Sequence, residues 1–256
     1  MYRSLCATAL GAVLLSGCAM ASGAGMGSGA QTAARETAYA AALSDSRRPA
    51  GDVERDGLRK PAEMMAFARL DAGDRVADVR PEEGYFTRVF ATAVGPTGHV
   101  YAFVPNQTAA REDGFSDALA AAFPNVSRIT GALETPGYPE PLDVVFMGQE
   151  YHDFVIPRFG VDVARMNAAV FAALKPGGLY VILDHQAAPG AETSVVGTLH
   201  RIEASALRAQ VEAAGFIFDG ETTAVANPAD DHSLSVFDPS IRGRSDQFVY
   251  RFRKPG

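Results

Sequence analysis

His152 is the residue in this chain best suited to move a proton. It stands in Met147-Gly148-Gln149-Glu150-Tyr151-His152-Asp153, where an apolar run that reads as a buried strand gives way to polar residues, and imidazole changes its charge near neutral pH. Asp153 or Asp184 can orient the ring, as a general base requires. The plain alternative is a histidine that only satisfies backbone groups of a loop. His152, His185, His200 and His232, together with Asp184, Asp230 and Asp231, also carry donor types that zinc or manganese accepts. None stands at the close pair spacing of a metal motif, so no metal is expected. Asp230 and Asp231 read equally as turn caps. Neither a Ser/His/Asp hydrolase elbow nor a phosphate-binding Gly-Lys-Ser/Thr loop is present. Arg242 and Arg244 with Lys254 offer an anion patch, although charges in a terminal hairpin read more simply as a solvated face.

A second chemical feature is Val76-Ala77-Asp78-Val79-Arg80-Pro81-Glu82-Glu83-Gly84-Tyr85-Phe86. It reads as a buried strand, a tight loop and the start of a helix, the arrangement that presents backbone N–H groups to nucleotide-type ligands. Such a loop needs small residues at its bends. Here only Gly84 is a glycine, and Pro81 removes a donor and fixes φ. Tyr85 and Phe86 read as core aromatics of the helix.

The elements that would position these residues alternate along the chain. Short apolar runs at 75–79, 99–104, 126–130, 142–147, 180–184, 217–221 and 248–252 read as strands. Between them, helices are expected near 86–94, 116–123, 163–174 and 204–214. Asp162 is placed to cap one of these, and Gly177 and Gly215 to stop two of them. Strands alternating with helices indicate a mostly parallel sheet covered on both faces. The last two strands are joined by residues 222–245, a long polar connection of the kind that covers a site. With 47% hydrophobic residues, the chain can bury one substantial core. Thirty acidic against 23 basic residues give a net charge of -7, which repels polyanions, so no nucleic-acid partner is expected.

The N-terminal region has a different character. Arg3, an apolar run from Leu5 to Leu15 and Leu15-Ser16-Gly17-Cys18 make an export signal too short to span a bilayer. Leu-Ser-Gly-Cys resembles the lipobox of bacterial lipoproteins, which implies cleavage before Cys18 and a lipid on its sulfur. An ordinary secretory cut at 21–24 is the alternative. Ala19 after the cysteine resembles the pattern that sends such proteins to the outer membrane, here facing the periplasm. Cys6 falls in the discarded signal, so the mature domain has no thiol for a disulfide or for catalysis. Residues 1–18 are thus expected as signal and lipobox, 19–46 as a flexible tether poor in large apolar side chains, and 47–256 as the folded domain. A short helix at 33–43 is allowed by propensity.

Leu174-Lys175-Pro176-Gly177-Gly178-Leu179-Tyr180-Val181-Ile182-Leu183-Asp184 resembles the fifth-strand segment of class I S-adenosylmethionine-dependent methyltransferases, and the stretch from Asp78 to Gly84 resembles their cofactor loop. With Tyr151-His152-Asp153, Leu199-His200-Arg201-Ile202, Asn227-Pro228-Ala229-Asp230-Asp231-His232 and Asp238-Pro239-Ser240-Ile241-Arg242-Gly243, residues 47–255 are similar to a group of exported predicted methyltransferases. The resemblance implies an α/β, Rossmann-like fold: a seven-stranded, mostly parallel sheet with an antiparallel last strand inserted beside the fifth, and helices on both faces. It implies S-adenosylmethionine as cofactor and a small molecule as methyl acceptor. Carried across by position, Asp78 and Gly84 keep loop positions, while Arg80 and Glu82 fall where glycines are usual. Asn106 or Gln107 stands in for the acid that grips the ribose, Gly148 ends the fourth strand beside the cofactor, and His152, Asp153 and Asp184 lie on the acceptor side. The same departures support a second expectation: a ligand-binding or structural envelope lipoprotein with a degenerate cofactor loop.

Overall fold

Residues 75–79 alternate Arg-Val-Ala-Asp-Val, and that period of two sorts their side chains between the faces of a sheet. In the structure, a computed structural model that describes Met1 and residues 28–109 and 115–256, they form the central strand β1 (Arg75–Val79). Val76 packs into one hydrophobic layer, and Ala77 and Val79 into the other. The remaining strands are β2 (His99–Pro105), β3 (Val126–Gly131), β4 (Leu142–Gly148), β5 (Leu174–His185), β6 (Ile217–Thr222) and β7 (Gln247–Arg253). Their order across the sheet is β3-β2-β1-β4-β5-β7-β6. Pairing is parallel from β3 through β5, and β7 runs antiparallel to both β5 and β6. This is the Rossmann-like sheet expected from the sequence, with the last strand inserted beside the fifth.

One face is covered by α1 (Ser28–Leu43), α3 (Pro61–Phe67), α4 (Tyr85–Val94) and α5 (Phe115–Ala122). The other carries α6 (Tyr151–Val155), α7 (Val163–Ala173) and α9 (Ala204–Ala213). α7 starts where the sequence places a cap: the Asp162 carboxylate accepts the Arg165 backbone N–H at 3.1 Å. Two short elements sit nearer the site, α2 (Ala50–Arg59) and α8 (Val196–Leu199). Tyr85 and Phe86 are buried, as expected for α4. Among the described residues no helix is long and apolar enough to cross a membrane.

The N-terminal segment differs from expectation. Residues 28–43 are α1 rather than tether, and the helix begins before the 33–43 stretch that propensity allows. It docks on α4 and α3 with Tyr39 and Ala42 buried. The Tyr39 hydroxyl donates to the Leu70 carbonyl at 2.7 Å, and Arg35 Nε donates to Asp71 at 2.6 Å. One aromatic and one ion pair supply the anchorage that the alanine-rich composition conceals. The export signal and lipobox, with Cys18, lie outside the described residues, as do residues 19–27.

β5 also starts earlier than the 180–184 expected for it. The glycine turn at Gly177, with φ of 80°, lies within the strand. It is held there because the Gly177 N–H donates to the Lys254 carbonyl at 3.0 Å.

Candidate functional site

Parallel strands β1, β4 and β5 end side by side, and their carboxyl ends open onto a cavity of about 610 Å³. That volume suits a small molecule. Each strand delivers a polar loop to it.

The loop after β1 has the bends of a glycine-rich turn with a glycine at only one of them. Arg80, Glu82 and Gly84 have φ of 53°, 50° and 72°, the left-handed region that costs a residue with a Cβ about 1–2 kcal/mol. The Arg80 N–H continues the strand pairing by donating to the Phe103 carbonyl at 2.8 Å. Its guanidinium crosses the crevice to the β4 side, where it pairs with Glu150 and lies 3.2 Å from Asp153 Oδ2. Glu82 is exposed and lines the cavity.

Four of the residues matched to the cofactor end of the fold do not line this cavity. Asp78 is buried and accepts the Thr87 hydroxyl at 2.6 Å, tying β1 to the first turn of α4. Gly84 caps that helix in the left-handed conformation, and its N–H donates to the Pro81 carbonyl at 2.7 Å. Asn106 is exposed, with its N–H donating to the Gly131 carbonyl. At Gly148 an added Cβ would stand 2.9 Å from Phe146 Cε1 and 3.6 Å from the Phe86 ring. The packed aromatics Phe86, Phe90 and Phe146, with centroids 4.7–5.6 Å apart, account for that glycine.

The loop after β4 carries the groups able to do chemistry. The Asp184 carboxylate, at the end of β5 and fully buried, accepts three hydrogen bonds: His152 Nδ1 at 2.7 Å, the His152 N–H at 2.8 Å and the His185 N–H at 2.7 Å. Burial alone would raise its pKa, but the His152 charge and hydrogen bonds outweigh this and hold the carboxyl below its usual range. An ionised Asp184 can only accept, so it fixes the proton on Nδ1 and turns Nε2 toward Asp153, 3.4 Å away. His152 itself is 3% exposed. Burial pulls its pKa down, yet Asp184 and Asp153 together push it above the ordinary histidine value. Of the two orienting acids that the sequence leaves open, Asp184 makes the closer contact.

Asp153 is shared. Its Oδ1 also lies 2.9 Å from His200 Nδ1, and its Oδ2 faces Arg80. His200 reaches it from the C-terminal end of α8 with φ of 54°, brought there by a parallel bridge between Gln186 and Ile202. Its ring stacks edge-on to His152 at 5.4 Å and to Phe237 at 4.7 Å. His185 donates to or accepts from the Ser245 hydroxyl at 2.8 Å, and burial takes its pKa down to about 4. Beneath Arg80, burial drives Glu150 well above the usual carboxylate range despite the guanidinium beside it.

His152, Asp153 and His200 place one ligand atom each within 4.8 Å of one another, a grouping that sequence spacing alone does not show. A carboxylate-backed histidine is the usual company of a bound metal. The surrounding charge argues for a proton instead: Arg80 already holds Asp153, and Arg55, Arg59, Arg158 and Arg242 also line the cavity. Arg242, exposed on the hairpin, is among the residues lining the cavity. Arg244 and Lys254 do not line it and are spent on the carbonyls of Ser240 and Leu174. Sequence reasoning missed Arg59, Glu150 and Arg158. The long connection between β6 and β7 does reach the site, through Val236, Phe237, Arg242 and Gly243.

No protein-family model matches this chain, and no curated protein matches it significantly. Solved structures do. An S-adenosylmethionine-dependent methyltransferase from Aquifex aeolicus aligns with a TM-score of 0.56 at 16% identity, covering 78% of this chain and 93% of its own. Aeropyrum pernix fibrillarin with natively bound S-adenosylmethionine aligns at 0.50 and 16% identity, over 77% and 76%. The [4+2]-cyclase SpnF aligns at 0.58 and 14% identity, over 88% and 94%. At these identities the likeness establishes the fold, that of the class I methyltransferases.

Proposed function

We propose that the protein is an enzyme that activates a proton-bearing nucleophile of a small molecule, with His152 as general base and Asp184 orienting it. The observation that carries this reading is the buried Asp184–His152 pair, whose ring lines a cavity at the carboxyl ends of β4 and β5 with Nε2 beside Asp153, another lining residue. In this fold that is where ligands sit. Methyl transfer is the reaction that the fold supports best, and S-adenosylmethionine is the donor that it implies. A base is needed there only to take the proton from the attacking atom, since the donor's sulfonium activates the methyl group.

The loop side chains as they stand do not fit that cofactor. The backbone bends are kept, but Arg80 spans the crevice to Glu150 and Asp153, Asn106 does not line the cavity, and the Gly84 N–H is already used. No step is therefore derived through the cofactor. The Arg80 bridge favours a second reading, a binding module whose old cofactor crevice has been rebuilt. Thermal unfolding with S-adenosylhomocysteine near a millimolar separates the two. Binding a hundredfold above Kd stabilises by about 2.7 kcal/mol. We expect Arg80→Gly to be stabilised more than the native protein, because the substitution clears the crevice that the guanidinium spans to Glu150 and Asp153. Stabilisation of both supports methyl transfer, and of the variant alone, the binding module. A flat response in both removes methyl transfer.

We also propose that the protein is exported and held at the envelope through a lipid on Cys18, facing the periplasm from the outer membrane. The support is the Leu15-Ser16-Gly17-Cys18 sequence and the apolar run before it. Cys18→Ser is expected to move the protein from the membrane fraction to the soluble one. A variant that stays with the membrane would contradict the anchor.

A further inference from the structure

The cavity is cationic in a chain whose net charge is -7. Two of its five arginines are neutralised: Arg80 by Glu150 and Asp153, and Arg55 by Asp52 at 2.7 Å and Glu83 at 3.6 Å. Arg59, Arg158 and Arg242 make no ion pair among the described residues. They come from three separate elements: the last turn of α2, the turn Pro157–Phe159 after α6, and the connection between β6 and β7. Convergence of unpaired cations from independent segments on one concavity focuses the local field toward anions.

Arg59 is the most telling of the three. It is half-buried, with its guanidinium 4.9 Å from the Tyr85 ring centroid and 5.8 Å from that of Phe86. Burial and the charge of Arg55 draw its pKa below the ordinary arginine value, and Glu82 counters only from beyond pairing distance. A guanidinium held on aromatic faces without a counter-ion keeps its donors available, in the fork geometry that suits carboxylate and phosphate.

We propose that the molecule taken into this cavity is a small organic anion, its carboxylate, phosphate or sulfonate held by Arg59, Arg158 and Arg242 and its nucleophile turned to His152. The proposal rests on the reading of the cavity as the reaction site and adds the class of substrate. It also reverses the solvated-face reading of Arg242.

The test is thermal unfolding of the purified protein at constant ionic strength, with inorganic phosphate, sulfate or succinate replacing chloride. At least one of these anions should raise the Tm by about 2–4 °C. The three arms distinguish phosphoryl, sulfuryl and carboxylate preference. Arg59→Gln and Arg242→Gln should each weaken the apparent affinity about tenfold. Arg242 is exposed, so its variant keeps the test informative if Arg59→Gln folds poorly. His152→Ala should leave the anion response within about twofold while removing turnover. No anion-specific rise, or a rise that survives both arginine variants, overturns the proposal. If His152 still governs turnover in that case, the reaction-site reading stands without it.

Discussion

Asp184→Asn is expected to lower turnover by about 100- to 10,000-fold, because a side-chain amide no longer fixes the His152 proton on Nδ1. The carboxylate accepts from the His152 ring, the His152 backbone and the His185 backbone, so the asparagine keeps the shape and loses the charge. Ring titration followed by nitrogen-15 NMR needs no substrate. In the native protein His152 should titrate above the ordinary value of about 6.5, and in Asp184→Asn below it. An unchanged titration would sink the assignment of Asp184 as the orienting group.

The pair also ties stability to pH in a definite direction. His152 has a raised pKa, so its contribution is complete below about 6.5 and is lost as pH climbs through the folded-state value. Asp184 has a lowered pKa, so its contribution is complete above about 3.9 and is lost as pH falls through its folded-state value. Both are present in full only between those limits. A base must be neutral to work, so turnover should rise with pH while the stabilisation from His152 declines. Parallel curves of activity and stability above about pH 6.5 would contradict the role.

Arg201→Met is expected to cost about 3–5 kcal/mol, a large part of the 5–15 kcal/mol that holds a typical domain. Arg201 is fully buried. It donates to the carbonyls of Leu234 and Gln186, both at 2.9 Å, and to Asp230 at 2.8 Å. Asp230 additionally accepts the N–H groups of Asp246 at 2.6 Å and His232 at 3.0 Å. The guanidinium therefore fastens the middle of the β6–β7 connection, and through Asp230 its last residue Asp246, to the segment that follows β5. That connection carries Phe237 and Arg242, so the variant should also become sensitive to protease within residues 223–246. Adding Asp230→Leu should recover part of the loss, since the stranded charge goes with it. A single-variant cost under about 1 kcal/mol in chemical denaturation would show that the pair is incidental.

Most strands were legible because their centres are short runs of apolar, β-branched or aromatic residues. β1 lies at the expected 75–79, and most others within a residue or two. His152 and Asp184 were legible as chemical types at strand ends. Their company was not. His200 meets Asp153 from 47 positions away, beside a bridge between Gln186 and Ile202, and Arg80 meets Glu150 from 70 positions away. No local periodicity records such a meeting. Arg59 reads as one more charge near the end of a polar helix until Tyr85 and Phe86 are placed beneath it. Propensity allowed a helix at 33–43, but the docking of α1 escaped because composition judges a segment by its average, whereas Tyr39 and Arg35 anchor it individually.

The left-handed bends at Arg80 and Glu82 have an evolutionary consequence. Every arginine and glutamate codon lies a single base change from one for glycine, and the main chain already has the shape that glycine would take without strain. A lineage carrying this loop can thus reach an uncluttered crevice by substitution alone, with no insertion and no rearrangement of the sheet.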